Sequence, residues 1–261
     1  MGVFKRLRGP KGTKVKVQIS RGKSSKLLDY TITREKIPSI SVDVGYMLDD
    51  STGYLKVSRF TATTDHELHE NLDKLIKAGM RRLVLDLRDN SGGYLNVAVK
   101  IADEFLTANK NIVYTKSKNH RYDQQYNTSY LNDGLFENGA LVVLINEGSA
   151  SASEIVSGAL QDNDRALIVG RRSFGKGLVQ MPIPLSDGSE LRLTISRYYI
   201  PSGRSIQKPY SAEDDGESYQ KDLYKRYKSG EFFSADSVKF SDSLKFKTSS
   251  GRTVYGGGGI M

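Results

Sequence analysis

The sequence predicts an α/β protein built on a parallel sheet, and three observations carry that prediction. A buried-type apolar run, Leu83-Val84-Leu85-Asp86-Leu87, enters the turn Arg88-Asp89-Asn90-Ser91-Gly92-Gly93, and a helical pattern follows over residues 95–106. The same order recurs from Leu141-Val142-Val143-Leu144-Ile145 through Asn146-Glu147-Gly148 into Ile155, Val156, Ala159 and Leu160 at helical spacing, up to Gln161. Strands alternating with helices form right-handed βαβ crossovers. Sites in such sheets lie beyond the carboxyl ends of the strands, where both glycine turns fall. Finally, a chain of 261 residues, 38% hydrophobic and 26% charged, is long enough to bury a substantial core.

The remaining elements follow from pattern and punctuation. Residues 9–20 read as a turn and a strand alternating Val15, Val17 and Ile19 with polar residues, and residues 27–33 alternate again after the turn Arg21-Gly22-Lys23. These two runs are too little for a core of their own. Residues 40–47 and 53–60 read as two more strands. Residues 64–79 read as a helix capped by Thr64 or Asp65, striped by Leu68, Leu72, Leu75 and Ile76, and ended by Gly79. Residues 166–169 are a short strand. Beyond Gly177 the pattern is β again, over 178–182 and over 190–199 with Leu191, Leu193 and Ile195 alternating. An exposed loop and polar helix are expected over 211–231. Strand-like alternation resumes over 238–254, before Gly256-Gly257-Gly258-Gly259-Ile260-Met261.

Composition removes several classes of function. There is no cysteine, which excludes a disulfide framework, Cys-ligated zinc and a thiol nucleophile. No apolar run approaches the ~20 residues that span a bilayer, and the basic start of the chain lacks the apolar region of a signal peptide. The net charge of +9 is spread along the chain and mixed with acidic residues, which reads as a solvated surface rather than a nucleic-acid footprint.

Three candidates for chemistry remain. Gly170 to Lys176 satisfies GxxxxGK, but Gly177 stands where a phosphate loop needs Ser or Thr, and a strand pattern follows where that loop needs a helix. His66 and His69 are three apart on a predicted helix and His120 lies in a polar stretch; they read as surface histidines, and none stands in a site-like turn. The third candidate is Ser151 with Lys176. A serine at a strand–helix junction is a weak nucleophile until a base takes its proton. A neutral lysine can be that base, and apolar surroundings favour the neutral form. The flanks Phe174, Leu178 and Val179 are apolar, and Gln180 carries an uncharged group able to orient the amine. The helix start after Ser151 offers the Ala152 N–H to a developing oxyanion, and Gly93 offers a second, unobstructed donor. A structural Ser/Gly turn beside a surface lysine is an equal reading on these residues alone.

Gly148-Ser149-Ala150-Ser151-Ala152-Ser153-Glu154-Ile155, the 25-residue step to Lys176 in Phe-Gly-Lys-Gly, Val179-Gln180, and Leu85-Asp86-Leu87 with its glycine turn resemble the carboxy-terminal processing (tail-specific) proteases, the S41 serine peptidases. The resemblance implies a crotonase/ClpP-like βαβ protease core with β-rich flanking segments. It implies Ser151 as nucleophile, Lys176 as general base, Gln180 as its orienter, and Gly93 and Ala152 as the oxyanion hole. It implies no metal or organic cofactor and an extracytoplasmic setting, periplasmic or cell-envelope. Polypeptides with exposed C-termini are the implied substrates, with no nucleic acid. Homo-oligomerisation stays open, as does membrane association through a segment upstream.

Members of that family carry a PDZ domain before the core. Leu7-Arg8-Gly9-Pro10-Lys11-Gly12-Thr13-Lys14-Val15 resembles only the last part of one, so a truncated chain is expected. The expected organisation is a PDZ remnant over 1–36, the protease core over 37–210 and a helix and strand extension over 211–261. Two alternatives stand beside a serine endopeptidase. One is a non-catalytic peptide-binding or assembly module of the same fold, inactive in truncated form. The other is an acyl-CoA enzyme, favoured by fold analogy and by no named residue.

Overall fold

In the computed structural model of the protein the described residues are 2–22, 25–36, 40–129, 133–209 and 217–261. Lys23 of the predicted turn, residues 37 and 210 at the expected domain boundaries, and residues 211–216 of the predicted exposed loop lie outside that set. The chain divides into two compact units, Met1–Ile40 and Ser41–Met261.

In the first unit a short helix α1 (Gly2–Leu7), which has no counterpart in the sequence pattern, precedes the antiparallel hairpin β1 (Lys14–Ile19) and β2 (Leu28–Thr33), registered with Val15 opposite Ile32 and Val17 opposite Tyr30. Arg34 ties the unit together, donating from Nε to the Leu7 carbonyl at 2.7 Å and from Nη1 to Thr13 Oγ1 at 2.8 Å. None of its described residues is buried, in line with two strands being too few to build a core.

The second unit follows the βαβ pattern. It comprises β3 (Val42–Met47), β4 (Thr52–Val57), α2 (Thr64–Lys77), β5 (Arg82–Asp86), α3 (Leu95–Asp103), β6 (Asn111–Lys116), β7 (Gln124–Asn127), β8 (Ala140–Ile145), α4 (Ala152–Asp162), β9 (Leu167–Gly170), β10 (Leu178–Pro184), β11 (Glu190–Tyr199), α5 (Glu217–Lys228), β12 (Lys245–Lys247) and β13 (Thr253–Tyr255). One sheet has the order β3-β4-β5-β8-β9, with β4, β5, β8 and β9 parallel and β3 an antiparallel edge. A second, antiparallel sheet has the order β10-β11-β6-β7. The core joins Leu55, Leu83, Leu85, Val143 and Ile145 of the first sheet to Leu68 and Leu72 of α2, Ala98 and Ile101 of α3, and Ile155, Val156 and Ala159 of α4. Every residue of α4 is buried, so its apolar stripe is only part of what it packs; Ser153, Glu154, Ser157, Gln161 and Asp162 are interior polar groups.

Several elements differ from the sequence expectation for local reasons. The cap of α2 is Thr63 rather than Thr64 or Asp65. Thr64 is the first helical residue, and its hydroxyl is used internally, donating to Ser41 Oγ at 2.7 Å. β6 and β7 escaped the pattern because Ile112 and Val113 are adjacent and both buried across a register shift, while β7 is Gln-Gln-Tyr-Asn. In β11, Leu191 and Leu193 are 48% and 47% exposed and only Ser196 and Tyr198 are buried. α5 is polar as expected, yet Arg226, and Glu231 just beyond it, are buried. The tail forms a 3-10 turn and the short β12–β13 hairpin instead of one strand, and Ile260 enters the core.

Candidate active site

β5 and β8 lie side by side with Asp86 opposite Leu144, so the turns that follow them emerge together at one end of the sheet. Side chains from each turn fasten the other. Asn146 Oδ1 accepts from Asp89 N at 2.9 Å and from Gly148 N at 3.0 Å, while its Nδ2 donates to Asp89 Oδ1 at 2.8 Å. Ser149 Oγ donates to the Leu87 carbonyl at 2.7 Å, and Ser153 Oγ donates to the Asn90 carbonyl at 2.8 Å. Asn90 Oδ1 accepts from Gly92 N at 2.9 Å. Below the first turn, Asp86 is held under its ordinary carboxyl range: burial raises it, but Arg88 and the Tyr54 hydroxyl outweigh that.

The glycines here are positional. A Cβ on Gly92 (φ +97°) would lie 2.8 Å from Ala152 N and 2.9 Å from Ser151 Cβ. On Gly93 (φ +152°) it would lie 2.0 Å from the Phe60 carbonyl oxygen. Backbone pairing holds Gly93 there, because Phe60 N donates to the Gly92 carbonyl and Tyr94 N to the Phe60 carbonyl, each at 3.0 Å. Among the described residues, neither the Gly93 N–H nor the Ala152 N–H has a partner within the protein. Ser151, the residue before α4, has φ 54° and ψ −111°, a conformation that costs a non-glycine residue roughly 1–3 kcal/mol. Ser151 thus sits at the turn from β8 into α4.

Lys176 sits in the loop between β9 and β10, and one buried carboxylate joins that loop to the serine turn. Glu154, three residues after Ser151, accepts from Ser151 N at 2.8 Å and Lys176 N at 2.9 Å on Oε2. Its Oε1 accepts from Ser173 Oγ and Gly175 N, both at 2.6 Å. Burial pushes this carboxyl up to about 7, against the pull of its four donors. The Tyr198 hydroxyl makes a second junction, lying 3.2 Å from the Ser151 carbonyl oxygen and hydrogen-bonding the Lys176 carbonyl. Sequence reasoning missed both roles. Glu154 had a local signal, the Ser-x-x-Glu spacing of a helix start. Tyr198 had none, since only the pairing of the second sheet brings β11 here.

Ser151, Lys176, Gln180 and Gly93 line one cleft of about 570 Å³, together with Tyr94, Ile155, Leu178, Pro182, Arg192 and Tyr198. Ala152 is buried behind it, with its amide against Gly92. Gln180 is exposed in the cleft just after a register shift between Val179 and Gln180, and it shares the exposed phase of β10 with Pro182 and Pro184. Lys176 is half-buried, and among the described residues no carboxylate stands within ion-pair distance of its amine. The Phe174 ring, expected to shield Lys176, instead covers the amine of a different lysine, Lys208, 4.0 Å from the ring centre. The residues after Lys176 are the strand β10, which removes the phosphate-loop reading. His66, His69 and His120 pair with Glu70, Glu104 and Asp123 respectively.

The sequence profile of Peptidase family S41 matches residues 51–215. The chain is 42% identical over 205 residues to a carboxy-terminal-processing protease of Bartonella bacilliformis, covering 77% of this chain and 46% of that one. It is 41% identical over 208 residues to a carboxyl-terminal-processing protease of Synechocystis sp., covering 78% and 47%. Among solved structures, the photosystem II D1 C-terminal processing protease superposes with a TM-score of 0.56 at 31% identity, over 76% of this chain and 54% of that one. The chain thus spans about half the length of the curated relatives it matches.

Proposed function

Given that the chain belongs to peptidase family S41, we propose that it is a serine endopeptidase working through a Ser151–Lys176 dyad. The observation that carries this reading is the meeting of Ser151, Lys176 and the Gly93 amide at one cleft, with the serine on a strained turn. In the proposed reaction the neutral Lys176 amine takes the Ser151 proton as Oγ bonds to the scissile carbonyl carbon. The Gly93 and Ala152 N–H groups then hold the resulting oxyanion. Collapse of the intermediate breaks the C–N bond, and the leaving amine receives the proton from Lys176. Water attacks the acyl ester, giving its proton to Lys176 and freeing Ser151. Gln180 orients the lysine without adding charge.

The substrates we propose are unfolded or tagged polypeptides cut near their C-termini; the names of the relatives say carboxy-terminal processing for those proteins. We take residues 1–36 as the remnant of a PDZ domain, 37–210 as the protease core, 211–261 as its extension, and the setting as extracytoplasmic. Among the described residues no helix is long and apolar enough to cross a membrane.

The test compares casein cleavage by the chain, by Ser151→Ala and by Lys176→Ala, and by a variant lacking all three histidines. Both single variants lose cleavage and the histidine-free variant keeps it. Cleavage that survives Lys176→Ala, or that vanishes with the histidines, overturns the dyad. A chain inert both as it stands and with a complete PDZ domain restored favours the binding-module reading.

A further inference from the structure

The loop that carries Lys176 is also gripped by residues that lie beyond the segment matching the family profile. Arg226 of α5 is 3% exposed. Its Nη1 donates to the Ser173 carbonyl at 3.1 Å and its Nη2 to the Arg172 carbonyl at 2.5 Å, while Nε donates to Glu231 Oε1 at 2.7 Å. Arg172 closes the cluster from within the loop, donating from Nε and Nη2 to the two Glu231 oxygens, each at 2.7 Å, and from Nη1 to the Gly258 carbonyl at 3.3 Å.

Ser173 is the shared point of these interactions. Its N–H donates to the Ile260 carbonyl at 2.9 Å, and its Oγ accepts from Ile260 N at 2.6 Å while donating to Glu154. Further along, Lys208 N donates to the Gly175 carbonyl at 3.1 Å, and its amine pairs with Asp222 of α5 at 3.0 Å.

Two guanidinium groups sharing one carboxylate in the interior is an arrangement whose desolvation is offset only when the hydrogen bonds are complete. Here Arg226 gives both Nη groups to the backbone carbonyls of Arg172 and Ser173, within four residues of Lys176, and Arg172 gives its Nη1 to the Gly258 carbonyl. A rotation of either peptide plane would carry through the buried Ser173–Glu154 bond to the Gly175 and Lys176 amides. We propose that Arg226 and Glu231 are positioning residues that hold the Lys176 loop against the serine turn. The inference rests on the dyad reading of the cleft.

The experiment takes Arg226→Met, Glu231→Gln and the conservative Arg226→Lys. It reads initial rates on fluorescein-labelled casein at several casein concentrations, and amide hydrogen exchange over residues 173–176 and over α4. In Arg226→Met and Glu231→Gln kcat falls roughly 10- to 100-fold with KM essentially unchanged. Exchange at 173–176 rises roughly tenfold or more, while that of α4 stays put. Arg226→Lys keeps the charge and one carbonyl but not the fork, and falls between these and the wild type. If Arg226→Met does not fold, Arg226→Lys decides by the same two readouts. Unchanged exchange at 173–176 together with unchanged kcat overturns the proposal. Cleavage that survives Ser151→Ala overturns the dyad instead, a result that the exchange measurement does not depend on.

Discussion

Replacing Glu154 by glutamine isolates the carboxylate that joins the serine turn to the lysine loop. In the least costly placement the amide oxygen keeps the Ser151 and Lys176 donors, and the NH₂ group turns to Ser173 Oγ, which can accept. The Gly175 N–H, 2.6 Å from Oε1 in the native protein, then faces a donor and is orphaned. One buried unsatisfied donor costs about 1–3 kcal/mol. Against this stands the charge itself. Between the ordinary carboxyl value of 4.5 and about 7, native Glu154 keeps a proton that the unfolded chain has lost. Wild-type stability should therefore fall, by an amount on the order of 3 kcal/mol, as pH rises through that window. Glutamine has no such slope.

The variant should accordingly be the less stable protein near pH 5, by about 1–3 kcal/mol or roughly 2–12 °C in Tm for a domain of this size. Near pH 8 the gap should have shifted by about 3 kcal/mol, which closes it or leaves the variant ahead by up to about 2 kcal/mol. Casein cleavage should be impaired at both pH values, because Gly175 adjoins Lys176, the proposed base. Calorimetry of both proteins across the pH range, with rates measured in parallel, provides the check. A stability difference that does not vary with pH refutes the account of a buried, desolvated carboxylate. Equal stability near pH 5 with full activity refutes its role as the tie.

Gly93→Ala should destabilise the chain and cut kcat by roughly 100-fold or more, since the new Cβ would sit 2.0 Å from the Phe60 oxygen and must displace the amide assigned to the oxyanion; a variant with normal rates removes that assignment. Ile260→Ala should lose about 2–5 kcal/mol in denaturant melts, because Ile260 is wholly buried in the core and its backbone holds Ser173; a loss well under 1 kcal/mol would show that the tail does not brace the loop. Tyr198→Phe keeps the packing of a buried ring but frees the Ser151 and Lys176 carbonyls. Its stability in denaturant melts should fall by about the worth of one hydrogen bond, roughly 0.5–1.5 kcal/mol, and its kcat should fall with KM held; wild-type kinetics would make that hydroxyl incidental.

Much of the site was legible in the residues because short-range rules write it. An apolar run, a glycine turn and a helical stripe place Ser151 at a strand–helix junction. The same pattern at 83–106 supplies Gly92 and Gly93, and neither inference needs a partner from elsewhere in the chain. Gln180 was reachable by spacing from Lys176. What periodicity could not show was which polar residues become interior. Glu154 reads as an ordinary cap partner until α4 is buried on all sides, and burial is what moves its proton affinity toward neutrality.

By itself, then, the sequence determined the alternation of strands and helices around the two glycine turns, though not α1, β6 or β7, because that alternation is encoded within a few turns of local chain. Only the tertiary structure decided how the lysine loop is held. Ser173 bonds to Glu154 nineteen residues away, to Arg226 fifty-three away and to Ile260 eighty-seven away. Nothing in the pattern of a polar helix or of four glycines marks them as neighbours of that loop. Contacts of such separation depend on how the sheets, α5 and the tail close over α4, and a buried hydrogen bond acquires its strength only when that closure has excluded water.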